Sequence, residues 1–205
     1  MHSISIALER LRSQLAHALP ATAGLCHFDV SFPLNDAFDP LAWLGVQSCY
    51  PQFYWQQRNG DEELAALGAV THFSSLASAS RFLHTHNAAH DTRICGLNAF
   101  NPEQGSLFLP RLLWRRFAGV ATLRLQLWSD SSLQDDARAA LDFLQQLRDA
   151  RPIRPLSVQV MQETHQPQKS EWLRLIRQAT ETIARGDFEK VVLARATDLQ
   201  FNQPV

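Results

Sequence analysis

The sequence predicts an α+β chain built around a large, mostly antiparallel sheet with packed helices, on three observations. Leu123, Leu125 and Leu127 alternate with Arg124, Gln126 and Trp128, the period-two pattern of a half-buried strand. The candidate strands around it are joined by short connections holding Pro102, Gly105, Pro110 and Gly119, and short connections favour antiparallel neighbours. Apolar stripes at helical spacing then lie on either side of this strand-rich middle.

The first stripe is Ile4, Leu8, Leu11, Leu15 and Leu19, with Glu9, Arg10, Arg12 and Gln14 off it; Pro20 and Gly24 end that helix. Phe53–Gln57 is rich in aromatic strand formers and runs into Asn59-Gly60. This pair accepts positive φ, so a hairpin into Leu64–Val70 follows, lengthened by Asp61-Glu62-Glu63. Leu76, Ala79 and Leu83 give Ser75–His86 helical spacing. Arg93–Phe100, Ser106–Pro110, Leu112–Phe117 and Ala121–Trp128 read as successive strands.

A helix capped by Ser131 or Ser132 carries Leu133, Ala137, Ala140, Leu141, Leu144 and Leu147. Arg148 and Arg151 suit its C-terminal end, and Pro152 and Pro155 stop it. Leu156–Met161 reads as a further strand, and the polar stretch Glu163–Lys169 as a boundary. Ser170 then caps a helix with Trp172, Ile176, Ala179 and Ile183 on one face, and Gly186 stands where a left-handed cap would end it. Phe188–Thr197 reads as a strand, with Lys190, Val192 and Ala194 on one face.

Composition narrows the function classes. The 205 residues are 45% hydrophobic, with 19 basic and 20 acidic side chains and a formal net charge of -1. That length buries a real core, and the charge balance gives no reason to expect nucleic acid or an anionic membrane as partner. Cys26, Cys49 and Cys95 are odd in number and far apart, which fits reduced thiols rather than a disulfide framework or a zinc site. No signal peptide or membrane-spanning apolar run is present, so a cytoplasmic protein is expected.

The glycine-rich nucleotide loops, GxSxG, HExxH and calcium-loop patterns are missing. His84, His86 and His90, with Asp91 beside them, form the best metal-like cluster; the alternative is a solvated helix end entering a loop. Trp114, Arg115 and Arg116 suggest stacking or phosphate contact. As adjacent strand residues they point to opposite faces, which favours ordinary packing. Lys190 is flanked by Val191-Val192-Leu193 in a segment suited to burial. It is either an ammonium at a strand edge, free or paired with Glu189 or Asp187, or a buried amine kept neutral enough to serve as a base.

The string from Trp172 through Ile176, Ala179, Ile183 and Gly186 to Lys190-Val191-Val192-Leu193-Ala194-Arg195 resembles the entry into the chorismate-binding domain. That domain is shared by isochorismate, salicylate, anthranilate and aminodeoxychorismate synthases. Upstream, Phe32-Pro33-Leu34-Asn35-Asp36-Ala37-Phe38 and the run from Tyr50 to Asp61 are similar to the menaquinone-specific isochorismate synthases. The resemblance implies the N-terminal portion of the anthranilate synthase component I-like fold, truncated. Residues 1–163 would form an N-terminal α+β region, and 164–205 the start of the catalytic domain.

It further implies conversion of chorismate to isochorismate in menaquinone biosynthesis, by water addition at C2 and loss of the C4 hydroxyl. Lys190 would deprotonate the water, since water-adding members carry lysine there and ammonia-using members glutamine. Mg2+ would hold the substrate carboxylate. Its ligands and the general acid are expected in a C-terminal half; Glu163, Glu171, Glu181 and Glu189 do not match those motifs. No cofactor-binding or metal residue is therefore assigned in this chain, and the 205 residues alone are expected to be inactive. Two alternatives stay open: a non-catalytic remnant or binding module, and another chorismate-using enzyme of the siderophore isochorismate synthase or salicylate synthase kind.

Overall fold

The computed structural model describes residues 3–17, 21–33, 38–101, 103–152 and 157–204, which fall into two compact units, Met1–Ile153 and Arg154–Val205. In chain order the elements are α1 (Ser3–His17), β1 (Gly24–Pro33), α2 (Pro40–Gly45), β2 (Gln52–Gln56), β3 (Glu62–Phe73), α3 (Leu76–Thr85), β4 (Cys95–Asn98), β5 (Gly105–Phe117), β6 (Val120–Ser129), α4 (Leu133–Gln146), β7 (Val160–Gln166), α5 (Lys169–Ala184) and β8 (Ala196–Phe201).

The first unit is the antiparallel sheet that the alternation predicts, in the order β1-β6-β5-β3-β2, with β4 added to the start of β5. Ile4, Leu8, Leu11 and Leu15 of α1 and Leu133, Ala137, Ala140 and Leu144 of α4 bury against Leu123, Leu125, Leu127, Leu112 and Trp114. Burying one leucine contributes about 2 kcal/mol, while helix propensities differ by only about 0.7 kcal/mol per residue. The stripes therefore decide where these helices form. Leu19 and Pro20, expected at the end of the first helix, lie outside the described residues.

Two predicted strands, Ser106–Pro110 and Leu112–Phe117, are one strand, β5. Pro110 is tolerated because β4 pairing ends at Phe108 and β6 pairing begins at Leu112, so the missing N–H falls in the gap between two neighbours. Across the sheet, β3 answers with a register shift between Ala69 and Thr71, beside Gly68 at φ 64°. Gln126 fills the kink with its Nε2 donating to the Pro110 carbonyl at 2.8 Å.

Strand β6 also departs from expectation. It was predicted half-buried, yet Arg124 is 6% and Gln126 1% exposed, so both faces are covered. Polar side chains survive there because each is paired. β1 and α2, which the alternation and stripes did not mark, complete the unit. Asp39 caps α2 by accepting from the backbone N–H of Leu41 and Ala42.

The second unit holds β7, α5 and β8, with β7 and β8 forming an antiparallel pair in which His165 faces Thr197. The sequence boundary at 163/164 falls inside β7, because Val160–Gln166 pairs with a strand later in its own unit. The expected cap Ser170 lies inside α5; the cap position is Gln168, with no side-chain cap bond. The predicted strand Phe188–Thr197 is corrected as well. Residues 188–195 have no regular structure, and pairing starts only at Ala196. Its partner β7 stops at Gln166 because Pro167 has no N–H to extend the ladder.

Candidate functional site around Lys190

Lys190 sits on a strap between α5 and β8. Helix α5 ends in a Schellman arrangement: Gly186, at φ 81°, donates its N–H to Ile183, and the Asp187 N–H reaches the Thr182 carbonyl at 3.3 Å. Arg185 reinforces the turn through Thr182 Oγ1 at 3.2 Å and Asp187 Oδ2 at 3.3 Å. The sequence placed this cap correctly, since glycine tolerates the left-handed conformation at little cost.

Beyond the cap, Lys190 is exposed, as are Val191 and Val192. Among the described residues no ion pair to Lys190 is present; Asp187 is engaged by Arg185 instead. At the far end of the strap, Arg195 Nε donates to the Pro167 carbonyl at 3.2 Å. The hairpin beyond closes with Asn202 and Gln159 bonded through Gln159 N–H to Asn202 Oδ1 at 3.0 Å and Asn202 N–H to the Gln159 carbonyl at 3.1 Å. The strap is thus pinned at both ends and bare in the middle.

The other candidates separate. His86 packs its ring 4.5 Å from Phe82 and 5.8 Å from Trp128, while His84 and His90 are exposed. Asp91 turns to Arg124. Among the described residues no group of three or more His, Cys, Asp or Glu side chains can hold a metal ion. These residues do not fit a Mg2+ site, and no chemical step is routed through one. The adjacent trio splits as the pleat requires: Trp114 is buried in the core, Arg115 bonds Glu62 at 2.7 Å and covers the Phe117 ring, and Arg116 pairs with Glu63 at 3.0 Å. All three cysteines are free, and burial pushes the Cys95 thiol up to about 12, against weak opposition from Arg93, which leaves it inert near neutral pH.

Sequence reasoning missed a cluster of one cation and two carboxylates. Arg124 on β6 bonds Asp29 of β1 and Asp91 of the loop after α3, with Nη2 to Asp29 Oδ2 at 2.6 Å. Nothing local links these three residues, which lie 95 and 33 positions apart along the chain. Only the alternation of Arg124 with buried leucines hinted at it.

Comparison with known proteins supplies the context for the strap. The chain is 55% identical over its full length to an Escherichia coli protein named isochorismate synthase MenF. Proteins of that name from Haemophilus influenzae and Pasteurella multocida share 29% over 100% and 28% over 82% of the chain. The solved structure of the E. coli menaquinone-specific isochorismate synthase superposes with a TM-score of 0.85 over 100% of this chain and 48% of that one. The match spans half or less of the length of these curated relatives, 48%, 45% and 36% respectively. A family profile described as chorismate binding enzyme matches residues 97–205, from β4 through the Lys190 strap to the last residue. The chain belongs to the chorismate binding enzyme family.

Proposed function

We propose that this chain carries part of a Mg2+-dependent isochorismate synthase that converts chorismate to isochorismate in menaquinone biosynthesis, in the cytoplasm. The observation that carries the proposal is the likeness, across the full 205 residues, to an enzyme of that name whose solved structure has a similar fold. Among the described residues no helix is long and apolar enough to cross a membrane.

In this reading residues 164–205 open the catalytic domain, and Lys190 takes a proton from the water that attacks C2 of the ring as the C4 hydroxyl leaves. The strap suits that role in one respect: both of its ends are fixed, so a cover over Val191 and Val192 would desolvate the amine without first ordering the backbone. Bare, as in this chain, Lys190 is solvated, and the 205 residues alone are expected to turn chorismate over poorly.

The test is chorismate conversion in the presence of Mg2+, with the chain alone and mixed with the C-terminal half of the E. coli relative. Turnover only in the mixture, lost in Lys190→Ala, supports the proposal. Turnover by the chain alone removes the need for a cover. Full turnover by the Lys190→Ala mixture removes Lys190 as the base.

A further inference from the structure

The connection between β2 and β3 carries an Asn-Gly pair on an exposed turn. Residues 58–61 are all exposed, and Asn59-Gly60 at its tip is the one Asn-Gly pair in the sequence. The Asn59 side chain is held outside the fold: its Nδ2 donates to Asp61 Oδ2 at 2.5 Å, and its Oδ1 accepts the Asp61 N–H at 3.3 Å. Gly60 has φ 81°, and a Cβ placed there would meet nothing within 4 Å. Its N–H donates to the Gln57 carbonyl at 2.8 Å, a bond that can open without disturbing any buried side chain.

We infer that Asn59 is a site of spontaneous deamidation through a succinimide closed by the Gly60 nitrogen. The Gly60 amide loses its proton to solvent, and its nitrogen forms a bond to Asn59 Cγ. The Cγ–Nδ2 bond breaks, and Nδ2 leaves as ammonia after gaining a proton. Water then opens the ring at either carbonyl, leaving aspartate or the β-linked isoaspartate at position 59. The sum is one water consumed and one ammonia released. Glycine favours ring closure because no side chain crowds the approach of its nitrogen.

The other asparagines in described segments are poorer substrates. Asn87 and Asn98 are each followed by alanine and Asn202 by glutamine, whose side chains crowd the nitrogen that would close the ring. Asn101 precedes a proline, which has no amide proton to lose. At Asn59 the product matters locally. A new carboxylate takes the place of the amide that now donates to Asp61, next to Glu62 and Glu63, so an attraction becomes a repulsion. It arises in the connection that sets the β2–β3 register, at the edge of a hollow of ≈ 410 Å³ lined by Gly60, Asp61, Arg116, Phe117, Ala118 and Gly119.

The experiment ages the folded chain at mildly alkaline pH, beside a guanidinium-denatured sample, and maps the peptides by mass and by enzymatic isoaspartate methylation. In the folded sample the NH-to-O mass gain and the methyl label are expected to concentrate on the peptide holding Asn59, and to be lost in Gly60→Ala and Asn59→Gln. Labelling of Asn59 no greater than that of Asn87, Asn98 or Asn202 in the folded chain overturns the inference. So does labelling confined to the denatured sample, a comparison that uses the unaltered sequence and does not depend on a variant folding.

Discussion

Arg124 grips Asp91 through two parallel hydrogen bonds, Nη1 to Oδ1 at 2.8 Å and Nη2 to Oδ2 at 2.9 Å, and so ties the loop after α3 to the middle of the sheet. The same guanidinium reaches Asp29 through Nε at 2.8 Å, so one nearly buried cation serves two carboxylates from separate elements. The side chains of Asp29 and Asp91 are 35% and 47% exposed, which lets water replace part of what a substitution removes. Breaking a fully buried pair costs about 3–5 kcal/mol. Discounted for that exposure, Arg124→Ala is expected to cost about 2 kcal/mol, and Asp91→Asn less. Urea unfolding measures both; equal, negligible losses would make the cluster ornamental.

The pH dependence has two limbs. On the acid side, the bonds from Arg124 outweigh burial and lower Asp91, and for Glu62 the burial that would raise it is overcome by Arg115 and Arg93. Carboxyls lowered on folding contribute stability at neutral pH that is lost as pH falls through their folded values. On the alkaline side, burial and the bond to Glu63 push Tyr54 up to about 12 from 10, and burial pushes Cys95 up to about 12 from 9. Groups raised in this way favour folding while protonated. Stability is therefore expected to fall between pH 9 and 12, with a shallower decline in Tyr54→Phe and Cys95→Ala. Thermal melts across that range decide it.

Two glycines with positive φ should behave differently. A Cβ on Gly96, at φ 138°, would lie 2.1 Å from the Ser106 carbonyl oxygen and 2.8 Å from Leu107 Cα, both backbone atoms of the paired strand β5. Gly119, at φ 78° in the β5–β6 turn, has nothing within 4 Å. Gly119→Ala is expected to cost about 1 kcal/mol through backbone strain alone. Gly96→Ala adds a clash that only movement of β4 can relieve, and should cost clearly more, with β4 amide protons exchanging faster. Equal costs would mean that β4 moves freely.

The sheet and its helices were legible because period two and period 3.6 are written locally: Leu123–Leu127 and Leu133–Leu144 need no knowledge of the rest of the chain. The single strand β5 was not, since Pro110 is a breaker in isolation and harmless only where β4 and β6 leave a gap. The same limit hid the Arg124 cluster, whose partners arrive from distant positions. It also misplaced the Lys190 strap: Phe188–Thr197 has strand composition, but a strand exists only where a neighbour offers its ladder, and β7 offers none beyond Gln166.

That missing neighbour leads to an expectation for the second unit. Helix α5 has an apolar stripe but no buried residue, and Val192 is 86%, Met161 65% and Leu173 50% exposed. Large apolar side chains left in water within so small a unit drive association. The chain is therefore expected to self-associate as concentration rises and to bind a hydrophobic dye. The pair Leu173→Glu and Val192→Ser should reduce both effects while leaving the circular dichroism of the first unit's sheet unchanged, because neither side chain is buried in this structure. Sedimentation of the parent and the double variant reads the outcome directly. If both stay monomeric across the concentration range, water alone suffices for the bare face. If the parent alone associates, the exposed side chains of Leu173 and Val192 are what hold the copies together.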